Sequence, residues 1–264
     1  MITADRKPFE EITRMLEPYT KILLIGCNEC VTVCSAGGAK EVAILASEIR
    51  LSRTNNGCAA EVVEHTPERQ CDPEYAAEIK TLVEKSDAVL SMACGCGVQT
   101  IAETYREKYV IPAVNTTFMG SSEEQGVWKE RCQGCGNCIL DKTLGICPVS
   151  RCAKSIFNGP CGGSQNGMCE INKELPCAWQ LIVDRLKEMN MMEKYLEIQP
   201  AKDWSTGRDG KDLCRRHPCG YVGRKRCQLH RPEPRRLRFL MRLRHFGGQP
   251  SGVCLPRLAF PCRN

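Results

Sequence analysis

The stretch KILLIGCNECVTVC, residues 21–34, begins with an apolar run and continues with three closely spaced cysteines. The run KILLIG is short, rich in Ile and Leu and ended by a glycine, which is typical of a buried β-strand. Cys27, Cys30 and Cys34 follow it with C-x2-C-x3-C spacing. We therefore predict a buried strand whose carboxyl end leads into a loop of thiols.

Further strand patterns alternate with helical patterns up to residue 120. The helical stretch at 72–86 opens with Asp72 as N-cap and Pro73 at its first position. Such alternation predicts an α/β domain at residues 1–120, in which helices cover both faces of a parallel sheet. The predicted strands are 21–26, 60–66, 87–93 and 109–114, and the predicted helices are 37–53, 72–86 and 98–107.

The cysteine content is far above that of ordinary globular proteins. The chain has 20 cysteines in 264 residues, a level that suits either a disulfide scaffold or a metal protein. The first residues, MITADRKPFEEIT, lack the apolar core of a signal peptide, and no run is apolar enough to span a membrane. We therefore expect a cytoplasmic protein whose reduced thiols bind metal.

Six cysteines in the first hundred residues fall where predicted strands end. Ligands of open α/β sheets bind outside the carboxyl ends of the strands, so we predict that these thiols form one site. Buried inert cysteines and a redox-active C-x2-C disulfide are the alternatives. Our first-choice ligands are Cys27, Cys30, Cys34 and Cys71, with Cys94 or Cys96 as a substitute or neighbour.

The cysteine-rich segment, residues 128–177, loses all periodicity and is rich in Gly, Cys and Asn. A segment with so few apolar residues needs cross-links or metal to order it. Its run RCQGCGNC, at 131–138, resembles the bacterial ferredoxin pattern, whereas zinc ribbons use pairs of C-x2-C knuckles. We predict two four-thiolate centres, iron–sulfur in preference to zinc, formed by Cys132, Cys135, Cys138, Cys147, Cys152, Cys161, Cys169 and Cys177.

The triplet, which comprises Cys132, Cys135 and Cys138, needs a fourth ligand that the spacing leaves open. Cys147 precedes a proline, as in ferredoxins, and is the first choice, with Cys177 or Cys152 as alternatives. Histidine is not expected as a ligand, because the first 206 residues contain a single one. No catalytic constellation is present, so we predict no catalytic residue.

Two other patterns surround these thiols. The glycine-rich run NGPCGGSQNG, at 158–167, is predicted to let backbone amides approach sulfur and tune a metal centre. Residues 178–198 have helical spacing. The apolar face of that helix, which we expect to pack on the chain's own core rather than on a partner, contains Trp179, Ile182, Leu186 and Met189.

Several long motifs together resemble one known family. They are RCQGCGNC, CPVSRCAKS, NGPCGGSQNGMCE, PCAWQLI and QPAKDWSTGRDG, together with KILLIGCNECVTVCSAGGAKEV, RQCDPEY, SMACGCGVQT and PAVNTTFMG. Over roughly residues 1–210 the chain is similar to the methylenetetrahydrofolate reductase C-terminal family, the small iron–sulfur subunit of that enzyme in acetogenic bacteria.

The resemblance implies an accessory, electron-carrying role in one-carbon metabolism. It implies two or three [4Fe–4S] clusters on this chain, with one four-cysteine site as a candidate zinc site. It implies a flavin-dependent TIM-barrel catalytic subunit as partner, with FAD or FMN on that partner, and further electron-transfer subunits as candidate partners. The reaction would be the reduction of methylenetetrahydrofolate in the Wood–Ljungdahl pathway, and we do not expect a nucleic-acid partner.

The composition changes after residue 206. Residues 1–206 carry 22 Lys and Arg against 28 Asp and Glu, whereas residues 207–264 carry 15 against 3. We therefore predict a metal-binding domain and helix at 121–206 and a disordered, Arg-rich tail at 207–264, whose composition is typical of out-of-frame translation. The alternatives for the tail are an electrostatic nucleic-acid surface and a zinc site formed by Cys214, His217, Cys227 and His230.

Overall fold

The computed structural model describes residues 1–204. The predictions for 207–264, namely disorder, a zinc site and a nucleic-acid surface, lie outside the described residues. No helix in the described part is both long and apolar enough to cross a membrane.

The described residues form two sheets and a set of mostly short helices. The strands are β1 (Ile2–Arg6), β2 (Lys21–Ile25), β3 (Glu61–His65), β4 (Ala88–Ser91), β5 (Tyr109–Pro112), β6 (Val114–Glu124) and β7 (Val127–Cys132). The helices are α1 (Phe9–Leu16), α2 (Cys30–Val33), α3 (Ala39–Asn55), α4 (Pro73–Glu78), α5 (Lys80–Lys85), α6 (Gly95–Thr104), α7 (Pro148–Arg151), α8 (Ala178–Glu188) and α9 (Glu193–Leu196).

The larger sheet is parallel, with strand order β3-β2-β4-β5. Its central strand β2 is apolar on both faces: Ile22 and Leu24 pack with α1 and α3, while Leu23 and Ile25 pack with α4, α5 and α6. These four side chains are at most 1% exposed, and each contributes about 1.5–3 kcal/mol by burial. The predicted parallel sheet with helices on both faces is confirmed.

A second sheet, which the sequence analysis does not predict, joins the N-terminus to the start of the cysteine-rich segment. It is antiparallel, with strand order β1-β6-β7. β6 and β7 form a hairpin closed by Gln125 and Gly126, and Gly126 has a φ of +86°. Residue 120, where we predict a domain boundary, lies inside β6.

A third, smaller core supports the cysteine-rich segment. It contains the buried side chains Ile146, Cys177, Trp179, Ile182 and Leu186. The expectation that α8 packs on the chain's own core is therefore confirmed for three of its four predicted face residues. It is wrong for Met189, which is 51% exposed, because the helix ends at Glu188 and the chain turns there.

Candidate metal centres

The N-terminal thiols lie at the carboxyl edge of the parallel sheet. β3 and β4 lie on opposite sides of β2, so the connections that leave β2 and β4 diverge at this edge. A crevice at such a switch point is where open α/β sheets bind ligands. Cys27 follows β2, Cys71 lies in the turn before α4, and Cys94 is the N-cap of α6.

Five of these thiols influence one another and form one group, here called the sheet-edge thiols. Burial raises the pKa of the Cys27 thiol, and the sulfurs of Cys71 and Cys94 raise it further. Burial, Cys94 and Cys30 likewise raise the pKa of Cys71. The sheet-edge thiols are Cys27, Cys30, Cys71, Cys94 and Cys96.

Cys34, a first-choice ligand in the sequence analysis, faces a different part of the molecule. Its buried Sγ lies 3.8 Å from the carbonyl oxygen of Ala4, on β1, and 3.6 Å from that of Val31. Burial raises the pKa of the Cys34 thiol, and the nearby Asp5 carboxylate raises it too. The structure therefore brings Cys94 and Cys96 to the other thiols and turns Cys34 toward β1.

Four cysteines of the C-terminal half line one small cavity of about 20 Å³ beside Trp179 and the first residue of α8. Lys154 also lines it, forms an ion pair with Glu170 and interacts with the sulfur of Cys161. The sequence analysis missed Lys154, whose only signal is its position two residues after a cysteine. The cavity cysteines are Cys152, Cys161, Cys169 and Cys177.

Backbone amides point at several sulfurs of the cysteine-rich segment. The amide of Gly163 lies 3.4 Å from Cys161 Sγ, and that of Gly134 lies 3.4 Å from Cys132 Sγ. The backbone amides of Asn172 and Ile171 lower the pKa of the Cys169 thiol. Donors of this kind stabilise the thiolate, which is the form that binds metal.

The triplet lies at the end of β7, which terminates at Cys132. Cys147 is the N-cap of α7, and α7 contacts both β7 and α8. Lys202 donates to the carbonyl of Asn137, inside the triplet, over 2.7 Å. The C-terminal end of the described chain therefore contacts the loop that carries the triplet.

Thiolates are suitable ligands for a metal centre, although the sulfurs do not surround a common point in this structure. No group of three or more His, Cys, Asp or Glu side chains within residues 1–204 is arranged to hold a metal ion. A cysteine side chain turns about a single torsion, so the position of each sulfur depends on its rotamer. The backbone amides directed at sulfur also support a thiolate-bound metal centre, because such donors stabilise metal ligands.

Comparison with known proteins gives a match only for the C-terminal half of the described residues. No curated protein and no solved structure matches the chain. A family model does match, over a segment that holds the triplet, Cys147 and the cavity cysteines but none of the sheet-edge thiols. Residues 111–205 match the family described as Methylene-tetrahydrofolate reductase C terminal, which confirms the resemblance for this segment.

Proposed function

We propose that this chain is an iron–sulfur subunit of methylenetetrahydrofolate reductase that carries electrons to or from the flavin of a separate catalytic subunit. One observation carries the proposal: within the matched segment, four cysteines from separate loops line one cavity. A bound iron–sulfur cluster accepts and releases electrons at a potential that its protein surroundings set. The chain's own residues supply thiolates and the amides that stabilise them.

The arrangement of α7 supports two centres in the cysteine-rich segment. Cys147 precedes this four-residue helix and Cys152 follows it. Cys152 lines the cavity together with Cys177, so both alternatives for the fourth ligand of the triplet belong to the other group. We therefore assign Cys147 to the triplet and the cavity cysteines to a second four-thiolate centre.

The hairpin β6–β7 connects this segment to the sheet-edge thiols. The hydroxyl of Thr116, on β6, accepts a 2.8 Å hydrogen bond from the amide of Gly95, next to Cys94. Three residues further along β6, Met119 is paired with Cys132, and three residues of strand span about 10 Å. The contacts of one short strand with both thiol groups support the proposal of a relay between two centres.

The flavin and the folate are assigned to the partner. The chain is proposed to work in the cytoplasm, in Wood–Ljungdahl-type one-carbon metabolism, with further electron-transfer subunits as candidate partners. This assignment follows the resemblance and the family match at residues 111–205.

A second candidate function is a zinc-stapled module that shapes or docks the catalytic subunit without carrying electrons. The observation that favours it is the size of the cavity, about 20 Å³, which is close to the room that one water molecule needs. A single zinc ion bound by four thiolates fits so small a space more readily than a four-iron cluster does.

Metal analysis of the anaerobically purified full chain tests the proposal. Iron and sulfide in equal amounts, with a visible absorption band that dithionite bleaches, are expected. With the catalytic subunit added, the dithionite-reduced chain should reduce its flavin. A colourless protein that holds zinc and no iron would exclude the electron-transfer role and leave the zinc-stapled module.

A pair of variants locates the metal within the chain. Cys161→Ser should remove the metal of one centre, because Cys161 lines the cavity. Cys58→Ser is the matched control, because Cys58 is an exposed cysteine that belongs to none of the three thiol groups. Equal metal content in the two variants would contradict the assignment of the cavity as a metal centre.

A further inference from the structure

A buried hydrogen-bond network joins the three backbone segments that carry sheet-edge thiols. Its centre is Gln70, which is fully buried. Its Nε2 donates to the carbonyl oxygens of Ile25 and Gly26, over 3.1 and 2.6 Å. Its Oε1 accepts from the Ser91 hydroxyl over 2.7 Å, and that hydroxyl accepts from the amide of Ala93 over 3.2 Å.

Each segment in the network leads directly into a cysteine. Gly26 precedes Cys27, Gln70 precedes Cys71, and Ala93 precedes Cys94. One side chain therefore fixes the relative positions of three loops that come from three different strands. Because both polar atoms of the buried Gln70 amide have partners, an alternative arrangement of the loops would leave buried groups unsatisfied.

Close packing restricts the same loops. A Cβ at Gly97, on α6, would lie 2.8 Å from the Cβ of Gln70 and 2.7 Å from that of Ala93. A Cβ at Gly37 would lie 2.0 Å from the carbonyl oxygen of Met92. Only glycine fits at both places, and the absence of side chains lets α6 and the loop after β2 press against this network.

We infer that Cys27, Cys30, Cys71 and Cys94 are the ligands of one thiolate-bound metal centre and that Gln70 is its positioning residue. The inference rests on the proposed function, from which it takes the assumption that these thiols bind metal. Cys30 is the fourth member because it opens α2 three residues after Cys27 and its sulfur interacts electrostatically with that of Cys71.

The two remaining cysteines at this edge are excluded by their surroundings. Cys34 is directed at the carbonyl of Ala4. Cys96 lies on the first turn of α6 and, unlike Cys71, does not directly follow a residue of the Gln70 network, and its thiol hydrogen-bonds to Cys94. We therefore assign Cys96 a supporting contact with the Cys94 sulfur.

Cysteine-to-serine variants of the full chain, purified anaerobically, test the ligand set by metal content. Cys71→Ser and Cys94→Ser should each lose the metal of one whole centre. Cys34→Ser and Cys96→Ser should keep the wild-type metal content, because neither sulfur is a ligand. Loss of metal in Cys34→Ser with full retention in Cys94→Ser would overturn the assignment.

Gln70→Glu tests the positioning role, because it keeps the shape of the side chain and replaces the donor with an oxygen facing two carbonyls. We expect the affinity for Zn²⁺ alone, at the centre that Cys71→Ser removes, to fall by about ten- to a hundredfold. Ser91→Ala, which removes the link to Ala93, should weaken the same centre. The affinities are measured by competition with a chelator.

Tyr105→Phe is the matched control, because it also removes a buried hydrogen bond, the 2.6 Å contact with the carbonyl of Ala76. It should lower the unfolding temperature, as Gln70→Glu also does, and leave the zinc affinity unchanged. Equal affinities in Gln70→Glu and Tyr105→Phe would overturn the positioning role. The outcome is independent of the electron-transfer proposal, which depends on whether the metal bound in the cell is iron.

Discussion

Gly159→Ala is expected to damage the cavity that the four cysteines line. A Cβ at this position would lie 2.4–2.6 Å from three atoms of the Trp179 ring, whereas carbon atoms normally approach to about 3.5–4.0 Å. The ring and the loop must therefore separate by about 1 Å. Overpacking of this kind costs about 1–3 kcal/mol.

The ring cannot move without a further loss. Trp179 is 6% exposed, and its Nε1 donates a 2.8 Å hydrogen bond to the carbonyl of Ile156. Breaking that bond adds about 0.5–1.5 kcal/mol, so the total loss is about 1.5–4.5 kcal/mol. If the loop moves instead, it displaces Cys161, which follows two residues later.

Chemical unfolding of the metal-loaded protein and its metal content are the two measurements. Gly159→Ala should lower both the stability and the metal content of the cavity centre. Gly95→Ala is the control, because its Cβ would lie at an ordinary 3.6 Å from the Thr116 hydroxyl and should change stability by about 0.5 kcal/mol at most.

A double-mutant cycle shows whether the ring is the cause. In the Trp179→Leu background the added methyl group has room, so Gly159→Ala should cost much less there than in the wild type. A Gly159→Ala protein with wild-type stability and full metal content would refute the reasoning. Equal costs in the two backgrounds would refute the role of Trp179.

Three further predictions concern pH, a lysine and metal removal. Backbone amides of Lys21 and Thr20 hold the pKa of Asp87 below its ordinary value, so its stabilisation is present above the unfolded pKa and is lost as the pH falls through the lower folded-state pKa. The difference in melting temperature between wild type and Asp87→Asn should be clear at pH 7 and should shrink as the pH falls below about 4. Lys202→Met removes the donor to Asn137 and should speed metal loss from the triplet to a chelator about tenfold; wild-type release would contradict this. Chelation of all metal should expose the cysteine-rich segment to limited proteolysis while the parallel sheet, which has two large cores, stays resistant; cleavage of both parts at equal rates would contradict it.

The parallel sheet could be predicted because its signals are local. KILLIG is apolar at every position that faces a helix layer, and the start of α4 carries its own N-cap, since Asp72 accepts a 3.1 Å hydrogen bond from the amide of Glu74. Strand ends then located the N-terminal thiols without any tertiary information. The rule that ligands bind at the carboxyl ends of parallel strands then led to the prediction that these thiols form one site.

The antiparallel sheet could not be predicted in the same way. β1 and β6 are far apart in sequence, and β6 is polar and mostly exposed, so it lacks the apolar alternation that identifies a strand. Its stabilising contacts, such as the 2.7 Å bond between the hydroxyls of Thr3 and Thr117, form only across the pair. The sole local signal was the turn at Gln125 and Gly126.

The grouping of thiols follows from tertiary contacts that spacing does not encode. Cys147 and Cys152 are close in sequence, yet the four residues of α7 separate them, and only Cys152 lines the cavity. Cys34 has the spacing of a ligand, but the strand that its sulfur faces, β1, could not be seen in the sequence. Gln70 is a residue that the sequence analysis missed, because no sequence pattern identifies a buried glutamine that links three loops. In both thiol-bearing regions of the described chain, therefore, tertiary contacts determine which sulfurs lie together, and the distance to the next cysteine along the chain does not.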